Sequence, residues 1–264
     1  MNLGITFEEK ILERISLNQY IGFIKDNKIS FLEFAPDFKK YSFDFYKEIF
    51  NKIKNTNIQI AIHLPHFIDE SLDISNYSKD KEKYFSQFYN KLNNLYDLND
   101  NKITLVFHGA KYETITKKEA LLKTESFIKF SLNYFNEMNY LINMSIETLN
   151  INHHKVVGDT RNDLINIVNK FNNKSLGICF DITHDYLNLK AIITPNIDFL
   201  NLVNHTHIHG FNMNSCHLPI HNNKMLFSTI TLLKKNDYPI NIELLICDNY
   251  LKELKEDIDL IQSL

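Results

Sequence analysis

The chain has 264 residues, 44% hydrophobic and 23% charged, a balance typical of a globular protein with a full core. Its formal net charge of −3 argues against a basic surface built for phosphate backbones, so nucleic acid is disfavoured as a partner. The three cysteines are far apart, which argues against a disulfide framework and against a thiolate zinc knuckle. No apolar run approaches the ~18 residues of a membrane span. We therefore expect a cytoplasmic protein with no membrane contact.

Short β-branched or aromatic runs recur along the chain, each followed by a longer amphipathic stretch. They predict eight strands: Asn2–Ile5, Ile29–Phe34, Ile58–Ile62, Ile103–Phe107, Asn143–Ile146, Leu176–Phe180, Leu202–Ile208 and Ile240–Leu245. Predicted helices include Lys79–Asn99, Lys117–Met138, Asp159–Phe171 and Leu251–Ile261. Eight alternating units predict a single-domain α/β fold, a (β/α)8 TIM barrel over residues 1–264. The alternative, a doubly wound open sheet, usually carries a glycine-rich phosphate turn, and the six glycines form none.

Ionisable side chains stand at the carboxyl ends of six predicted strands, where barrels of this kind place their chemistry. In chain order these residues are His63, His108, Glu147, Asp181, His207 and Glu243. Converging on one mouth, they would suffer desolvation and like-charge repulsion, which a divalent cation would relieve. Carboxylate and imidazole ligands suit zinc, manganese, iron or cobalt, and the sequence does not choose among them.

Short motifs around these residues resemble the xylose isomerase-like TIM barrel superfamily, which includes endonuclease IV (AP endonuclease family 2), tagatose/psicose 3-epimerases and inosose-processing enzymes. The motifs are IHLPHF, VFHGA, SIETLN, GICFDITHDY, THIHG, CHLPIHNN and NIELL. The resemblance covers essentially the whole chain. It implies a shared four-ligand metal site of Glu147, Asp181, His207 and Glu243, with His184 facing the same cavity.

Endonuclease IV binds three zinc ions, and its pattern implies one to three ions per chain here. The first ion would be held by His63, His108 and a bridging Glu147, and the second by the four-ligand site. A third would need His184, His217 and an aspartate at the position of Ser215, which is a poor ligand. The tyrosine of the family's HxPY-like motif is replaced by His66. These departures fall where DNA would be gripped, so the resemblance to a repair nuclease is incomplete.

The epimerases imply a different use of the same site, in which two ligand glutamates act as acid and base on opposite faces of one carbon. Glu147 and Glu243 have the identities for these roles. The substrate-binding arginine of those enzymes has no counterpart in residues 210–217, and His184 or His217 could take its place. Glu33 could bind a substrate hydroxyl or form a structural salt bridge.

Other histidines have open interpretations at this stage. His66 could line the pocket, and His209 could be an additional ligand or a rim residue. His205 is expected to be a hydrogen-bonded core histidine. The pair His153 and His154 is expected to lie in a solvated loop.

The leading hypothesis is a metal-dependent isomerase or epimerase that acts on a small sugar or polyol-type carbonyl compound through an enediolate. Its catalytic residues would be Glu147, Glu243 and His184, and its substrate-binding residues Glu33, His66 and His217. The alternatives are an endonuclease IV-like phosphodiesterase and a multinuclear iron enzyme that oxidises a peptide. The expected partner is a small molecule, and a homo-oligomer is left open.

Overall fold

Eight parallel strands close into a barrel in the computed structural model, which describes residues 2–150 and 155–264. Each strand pairs with its neighbours along the chain, and the last pairs with the first. The strands are β1 (Leu3–Thr6), β2 (Phe31–Phe34), β3 (Gln59–His63), β4 (Ile103–Phe107), β5 (Ile142–Glu147), β6 (Leu176–Asp181), β7 (Val203–Ile208) and β8 (Ile240–Ile242). The predicted (β/α)8 barrel is confirmed, and all eight strands end at one mouth.

Helices follow the strands and pack outside the barrel. They are α1 (Leu17–Asp26), α2 (Phe43–Lys54), α3 (Glu82–Tyr96), α4 (Lys117–Met138), α5 (Arg161–Phe171), α6 (Ile182–Leu189), α7 (Ile197–Leu200), α8 (Phe227–Lys235) and α9 (Tyr250–Ser263). Short 3-10 turns are Glu9–Glu13, Glu70–Leu72, Ile74–Asn76, Lys79–Lys81, Ile220–Asn222 and Lys224–Leu226. Among the described residues, no helix has both the length and the apolar character of a membrane span.

Helix α4 begins and ends at the predicted residues because both of its ends carry capping residues. The side chain of Thr116 accepts from the backbone N–H of Glu119, and the Glu119 side chain accepts from Thr116 in return, so the two form a capping box. Asn139 ends the helix in the left-handed conformation at φ 56°. By contrast β8 ends at Ile242, three residues before its predicted end, and Glu243 lies just beyond the strand.

The apolar core lies between the strands and the helices, where aromatic side chains fill much of the space. Phe127 of α4, for example, packs against Phe107 of β4 and Phe85 of α3, with ring centroids 5.2 and 4.9 Å apart. All three are fully buried. This layer fixes the strands, and therefore the positions of the side chains at their ends.

A small antiparallel ribbon follows β7 and was not predicted. Its strands are Gly210–Phe211 and Cys216–Leu218. A Cβ at Gly210 would lie 2.0 Å from the carbonyl oxygen of Pro219, so only glycine allows this close approach. The ribbon places His217 over the barrel mouth, next to Glu243.

Candidate metal centre

Six strand ends deliver the predicted side chains to the mouth. His63, Glu147 and Asp181 are the last residues of β3, β5 and β6, and His108 and Glu243 directly follow β4 and β8. His207 lies in β7, where its Cα is the register partner of Asp181. Since parallel strands share one direction, these side chains meet at the same end of the barrel.

Four of them form a compact group around one imidazole. Glu147, Asp181, His207 and Glu243 each offer a ligand atom, and these atoms lie within 4.8 Å of one another. Nδ1 of His207 is 3.3 Å from Oε1 of Glu147 and 3.4 Å from Oε1 of Glu243. The structure therefore brings together the four residues that the resemblance selected as the shared site. Their role as ligands stays a prediction.

Glu147 also belongs to a second group through its other carboxylate oxygen. Its Oε2 lies 3.1 Å from Nε2 of His63 and 3.0 Å from Nε2 of His108. His63 and Glu147 are buried, whereas His108 is partly exposed. One carboxylate thus faces two groups at once, the arrangement that the resemblance implied for a bridging ligand.

Glu33 lies on the opposite side of His207 from these carboxylates. Its Oε2 is 3.0 Å from Nε2 of His207 and 2.8 Å from Nε2 of His205. This contact confirms His205 as a hydrogen-bonded core histidine. It also leaves Nδ1 of His207 directed at Glu147. A carboxylate behind a metal-binding imidazole is the usual device for fixing its orientation. Glu33 also lines the cavity described below, so both of its predicted roles stay open.

Two predicted histidines border the mouth at its edges. His184 is the third residue of α6, where its backbone N–H donates to Oδ1 of Asp181 at 2.7 Å. His66 lies beside His108, with ring centroids 4.3 Å apart, and its Nδ1 is 3.1 Å from the carbonyl oxygen of Leu64. Burial first, and His108 next, lower the pKa of His66 to about 2, so this ring is neutral.

Charges within the mouth balance one another despite their burial. Burial raises the pKa of Asp181, but neighbouring histidines, His184 first, hold it at about 2. Burial likewise opposes the ionisation of Glu147 and Glu243, and His207 is the strongest of the effects that lower both pKa values. Burial lowers the pKa of His184, and Asp181 more than reverses this to about 9. Protons on the imidazoles thus supply the positive charge that a cation would supply in their place.

Two buried polar atoms at the mouth have no hydrogen-bond partner. They are Oδ2 of Asp181 and Nε2 of His209. The two atoms lie 3.4 Å from each other, and Oδ2 is also 3.4 Å from Nδ1 of His184, so the oxygen faces two imidazoles without a well-formed hydrogen bond. An unpartnered buried polar atom is costly, and a bound ligand would relieve that cost. Together with the oxygen and imidazole donor set, these atoms fit a divalent transition-metal ion.

Two cavities open above the candidate centre. The larger, of about 450 Å³, is bordered by Glu8, Glu33, His63, Phe67, Glu147 and Glu243 among others. The smaller, of about 260 Å³, is bordered by His66, His108, Lys111, His184, Cys216 and His217 among others. The first has the size of an ordinary small-molecule site.

Glu8 is a cavity residue that the sequence analysis missed. It lies two residues after β1, on the wall of the larger cavity. Burial first, and then Glu9, raise its pKa to about 7, against the opposing effect of Lys10. Strand β1 was predicted to end at Ile5, and Glu8 lies three residues past that end, outside the strand-end positions where ionisable residues were expected. His153 and His154 lie outside the described residues.

The sequence matches the family model described as xylose isomerase-like TIM barrel over residues 21–264. The chain belongs to this family. A search of curated proteins found no match.

Solved structures of three kinds share the barrel. A D-tagatose 3-epimerase-like protein is 20% identical, with a TM-score of 0.70 and coverage of 100% of this chain and 99% of that one. The probable 3-DHS dehydratase AsbF of Bacillus anthracis, involved in petrobactin synthesis, is 14% identical, with a TM-score of 0.71 and 99% coverage of both chains. An AP endonuclease, family 2, from Brucella melitensis is 15% identical, with a TM-score of 0.67 and 96% coverage of both. At these identities the likeness shows the xylose isomerase-like fold.

Proposed function

We propose that this family member is a metal-dependent isomerase or epimerase acting on a small polyhydroxylated carbonyl compound. One observation carries the proposal. Glu147 and Glu243 approach the same nitrogen of His207, at 3.3 and 3.4 Å, below a cavity of about 450 Å³. Two carboxylates at a single centre are the groups needed to remove a proton from a carbon and return one to it.

The cation would be held by Glu147, Asp181, His207 and Glu243. When bound, it would polarise the substrate carbonyl and so acidify the neighbouring C–H. Glu33 would keep the Nε2–H of His207 engaged at 3.0 Å, which leaves Nδ1 free for the centre.

The proton transfers fall to the two glutamates. His207 lowers the pKa of both against the effect of burial, so both are ionised at neutral pH and able to accept a proton. One would remove the proton next to the carbonyl, giving an enediolate, and the other would protonate the opposite face of that carbon. The remaining hydroxyls would face the cavity wall, where Glu33, His66, His184 and His217 stand.

Two structural neighbours are consistent with this chemistry. The D-tagatose 3-epimerase-like protein and a D-psicose 3-epimerase solved with D-tagatose have the same barrel, with TM-scores of 0.70 and 0.71. Both proteins are named for reactions of ketoses, which carry the hydroxyl-bearing carbon next to a carbonyl that an enediolate mechanism needs.

Exchange of substrate hydrogen with solvent tests the proposal directly. Zinc-, manganese- or cobalt-loaded protein is incubated with a panel of ketoses in deuterated water, and each carbon is followed by NMR. We expect deuterium at one carbon next to the carbonyl and loss of that exchange in Glu243→Gln. A Glu243→Gln variant that keeps its metal and exchanges at the wild-type rate would show that Glu243 is not the base.

A phosphodiesterase is the second candidate, because Glu147 faces two groups. An ion beside His63 and His108 would lie next to the four-residue group, as two-metal phosphoryl-transfer sites require. Incision of abasic-site DNA at saturating zinc separates the two functions. We expect no incision; a turnover that disappears in His108→Gln would favour the phosphodiesterase.

A further inference from the structure

One histidine and two glutamates form a group outside the barrel mouth, where the segment after the ribbon meets helix α9. His221 belongs to the 3-10 turn Ile220–Asn222, and Glu253 and Glu256 are three residues apart in α9. Side chains at this spacing lie on the same face of a helix. The three residues each offer a ligand atom, and these atoms lie within 4.8 Å of one another. None of the three residues borders the two cavities of the mouth.

The buried carboxylate of Asp257 fixes the tautomer of His221. It accepts the backbone N–H groups of Ile220 and His221 at 2.9 and 3.1 Å. Nδ1 of His221 lies 3.0 Å from Oδ1 of the same carboxylate. Since two backbone donors already point at Asp257, Nδ1 donates the hydrogen bond, and the lone pair of the ring lies on Nε2. An imidazole held through one nitrogen by a buried carboxylate is typical of metal-binding histidines.

Nε2 of His221 faces both glutamates at distances that suit a shared ion better than a hydrogen bond. It lies 3.6 Å from Oε2 of Glu253 and 4.0 Å from Oε2 of Glu256. A charge-assisted hydrogen bond would bring the nitrogen and the oxygen to about 2.8 Å. Two ligand atoms at the ~2.1 Å bond length of a tetrahedral zinc ion are about 3.4 Å apart. Both observed separations are closer to the second value, so small side-chain movements would allow the three atoms to hold an ion.

The surface position of the group completes the coordination that such an ion needs. The side chains of His221, Glu253 and Glu256 are 29%, 24% and 46% exposed, so water can supply the remaining position. Lys252 lies 3.7 Å from the other oxygen of Glu256, Oε1, and this exposed pair contributes little. One imidazole nitrogen and two carboxylate oxygens are a ligand set that zinc accepts.

We propose that His221, Glu253 and Glu256 form a peripheral zinc site, separate from the candidate centre in the mouth. The ion would hold the turn Ile220–Asn222 against α9. That turn follows the ribbon strand that carries His217, and no cavity for a substrate adjoins the three ligands among the cavities described above, so the role that fits the site is structural. The inference does not rest on the proposed reaction, because it uses none of the residues assigned to that reaction.

Ring ¹⁵N NMR of histidine tests the site without any assay of activity. The full-length protein is titrated with Zn²⁺ at pH 8, because zinc competes with protons for imidazole. We expect zinc to shift Nε2 of His221. Glu253→Gln and Glu256→Gln should each weaken zinc binding at His221 by more than about 100-fold, beyond the 10–100-fold typical of residues that only orient a ligand. Glu137→Gln, on the exposed surface of α4, is the matched control and should leave the titration of His221 unchanged.

Two NMR results would overturn the proposal. In the first, Nε2 of His221 does not shift even in large molar excess of zinc. In the second, it shifts with the wild-type zinc dependence in either glutamate variant, as expected if a surface imidazole bound zinc without that carboxylate. Elemental analysis at saturation gives an independent count. His221→Gln should bind one zinc ion per chain fewer than the wild type and keep the ions of the mouth; an equal count would contradict the site.

Discussion

Two buried groups of carboxylates and imidazoles meet at His207, and they differ in how completely their atoms are paired. On the deep side, Oε2 of Glu33 accepts from His205 and His207 at 2.8 and 3.0 Å. On the mouth side, Glu147, Asp181 and Glu243 approach the same ring, and Oδ2 of Asp181 has no hydrogen-bond partner. The same residue types therefore give a fully paired carboxylate oxygen on one side and an incompletely paired group on the other.

This difference indicates a division of labour. We expect the deep carboxylate of Glu33, which already contacts two imidazoles, to orient His207. The mouth carboxylates gain the most from a cation, because three negative side chains share one small buried volume. Substitutions on the two sides of His207 should therefore change metal binding in different ways.

Glu147→Gln should have the largest effect, since Glu147 faces both His63 and His207. We expect metal affinity to fall by more than about 100-fold, beyond the 10–100-fold typical of residues that only orient a ligand. Isothermal titration with zinc measures the loss. Glu137→Gln, a matched change on the exposed surface of α4, is the control. An unchanged affinity in Glu147→Gln would mean that Glu147 binds no ion.

Glu33→Gln should have a smaller effect of a different kind. The amide can still contact His207, so we expect about 10–100-fold weaker zinc binding with an unchanged number of ions at saturation. Titration followed by elemental analysis separates affinity from number. If an ion is missing at saturation, Glu33 is itself a ligand, and the two sides of His207 are not distinct.

The pH dependence of stability should distinguish the apo protein from the metal-bound one. The pKa values of His184 and His217 are raised to about 9 and about 11, against burial, by Asp181 and by Cys216 and Glu243 respectively. Their stabilisation is complete below the unfolded value of about 6.5 and is lost as the pH rises through about 9 for His184 and about 11 for His217. His66, with its pKa lowered to about 2, instead loses stabilisation as the pH falls below 6.5.

We therefore expect the apo protein to be most stable near pH 6.5. Zinc binding displaces protons, so the stabilisation by zinc should grow from pH 6 to pH 9. Urea unfolding of chelator-treated and zinc-loaded protein at each pH checks both trends. A zinc-induced increment that stays constant over this range would show that protonated histidines are not part of the ion site.

Much of the mouth was predictable because parallel strands deliver their carboxyl ends to one place. His63, Glu147, Asp181 and Glu243 could be located from sequence for this reason, even though β8 ends earlier than predicted. The ribbon was not predictable, since strands of two and three residues show no periodicity. The position of His217 depends on that ribbon, and so its contacts with His209 and Glu243 appeared only in three dimensions.

The partner of His205 and His207 also could not be predicted from the sequence. His205 and His207 alternate on one strand face, which predicts that they share a direction. It does not tell which carboxylate lies between their Nε2 atoms, because Glu33 comes from the other side of the barrel, 172 residues away. Long-range pairing of this kind is a property of barrel closure and not of any local pattern.

Glu8→Gln should give the smallest effect. It tests how a buried carboxyl group whose charge is not balanced by a neighbour changes the stability of the protein. With a pKa of about 7, mainly through burial, Glu8 holds a proton in the folded state that it loses near pH 4.5 when unfolded. Its contribution to stability therefore falls as the pH rises from 4.5 through 7. In the apo protein we expect Glu8→Gln to match the wild type at pH 4.5 and to be more stable by about 1 kcal/mol at pH 8, since water at the cavity relieves part of the cost.

The exposed Glu13 of the same segment supplies the control, because Glu13→Gln removes one carboxylate outside the cavity. Urea unfolding at pH 4.5 and pH 8 compares the three proteins. A Glu8→Gln variant that is less stable than the wild type at pH 8 would mean that Glu8 is ionised and stabilised by neighbouring histidines, like Asp181. In that case Glu8 on the cavity wall and the carboxylates of the candidate centre would not differ in whether they have a positively charged partner.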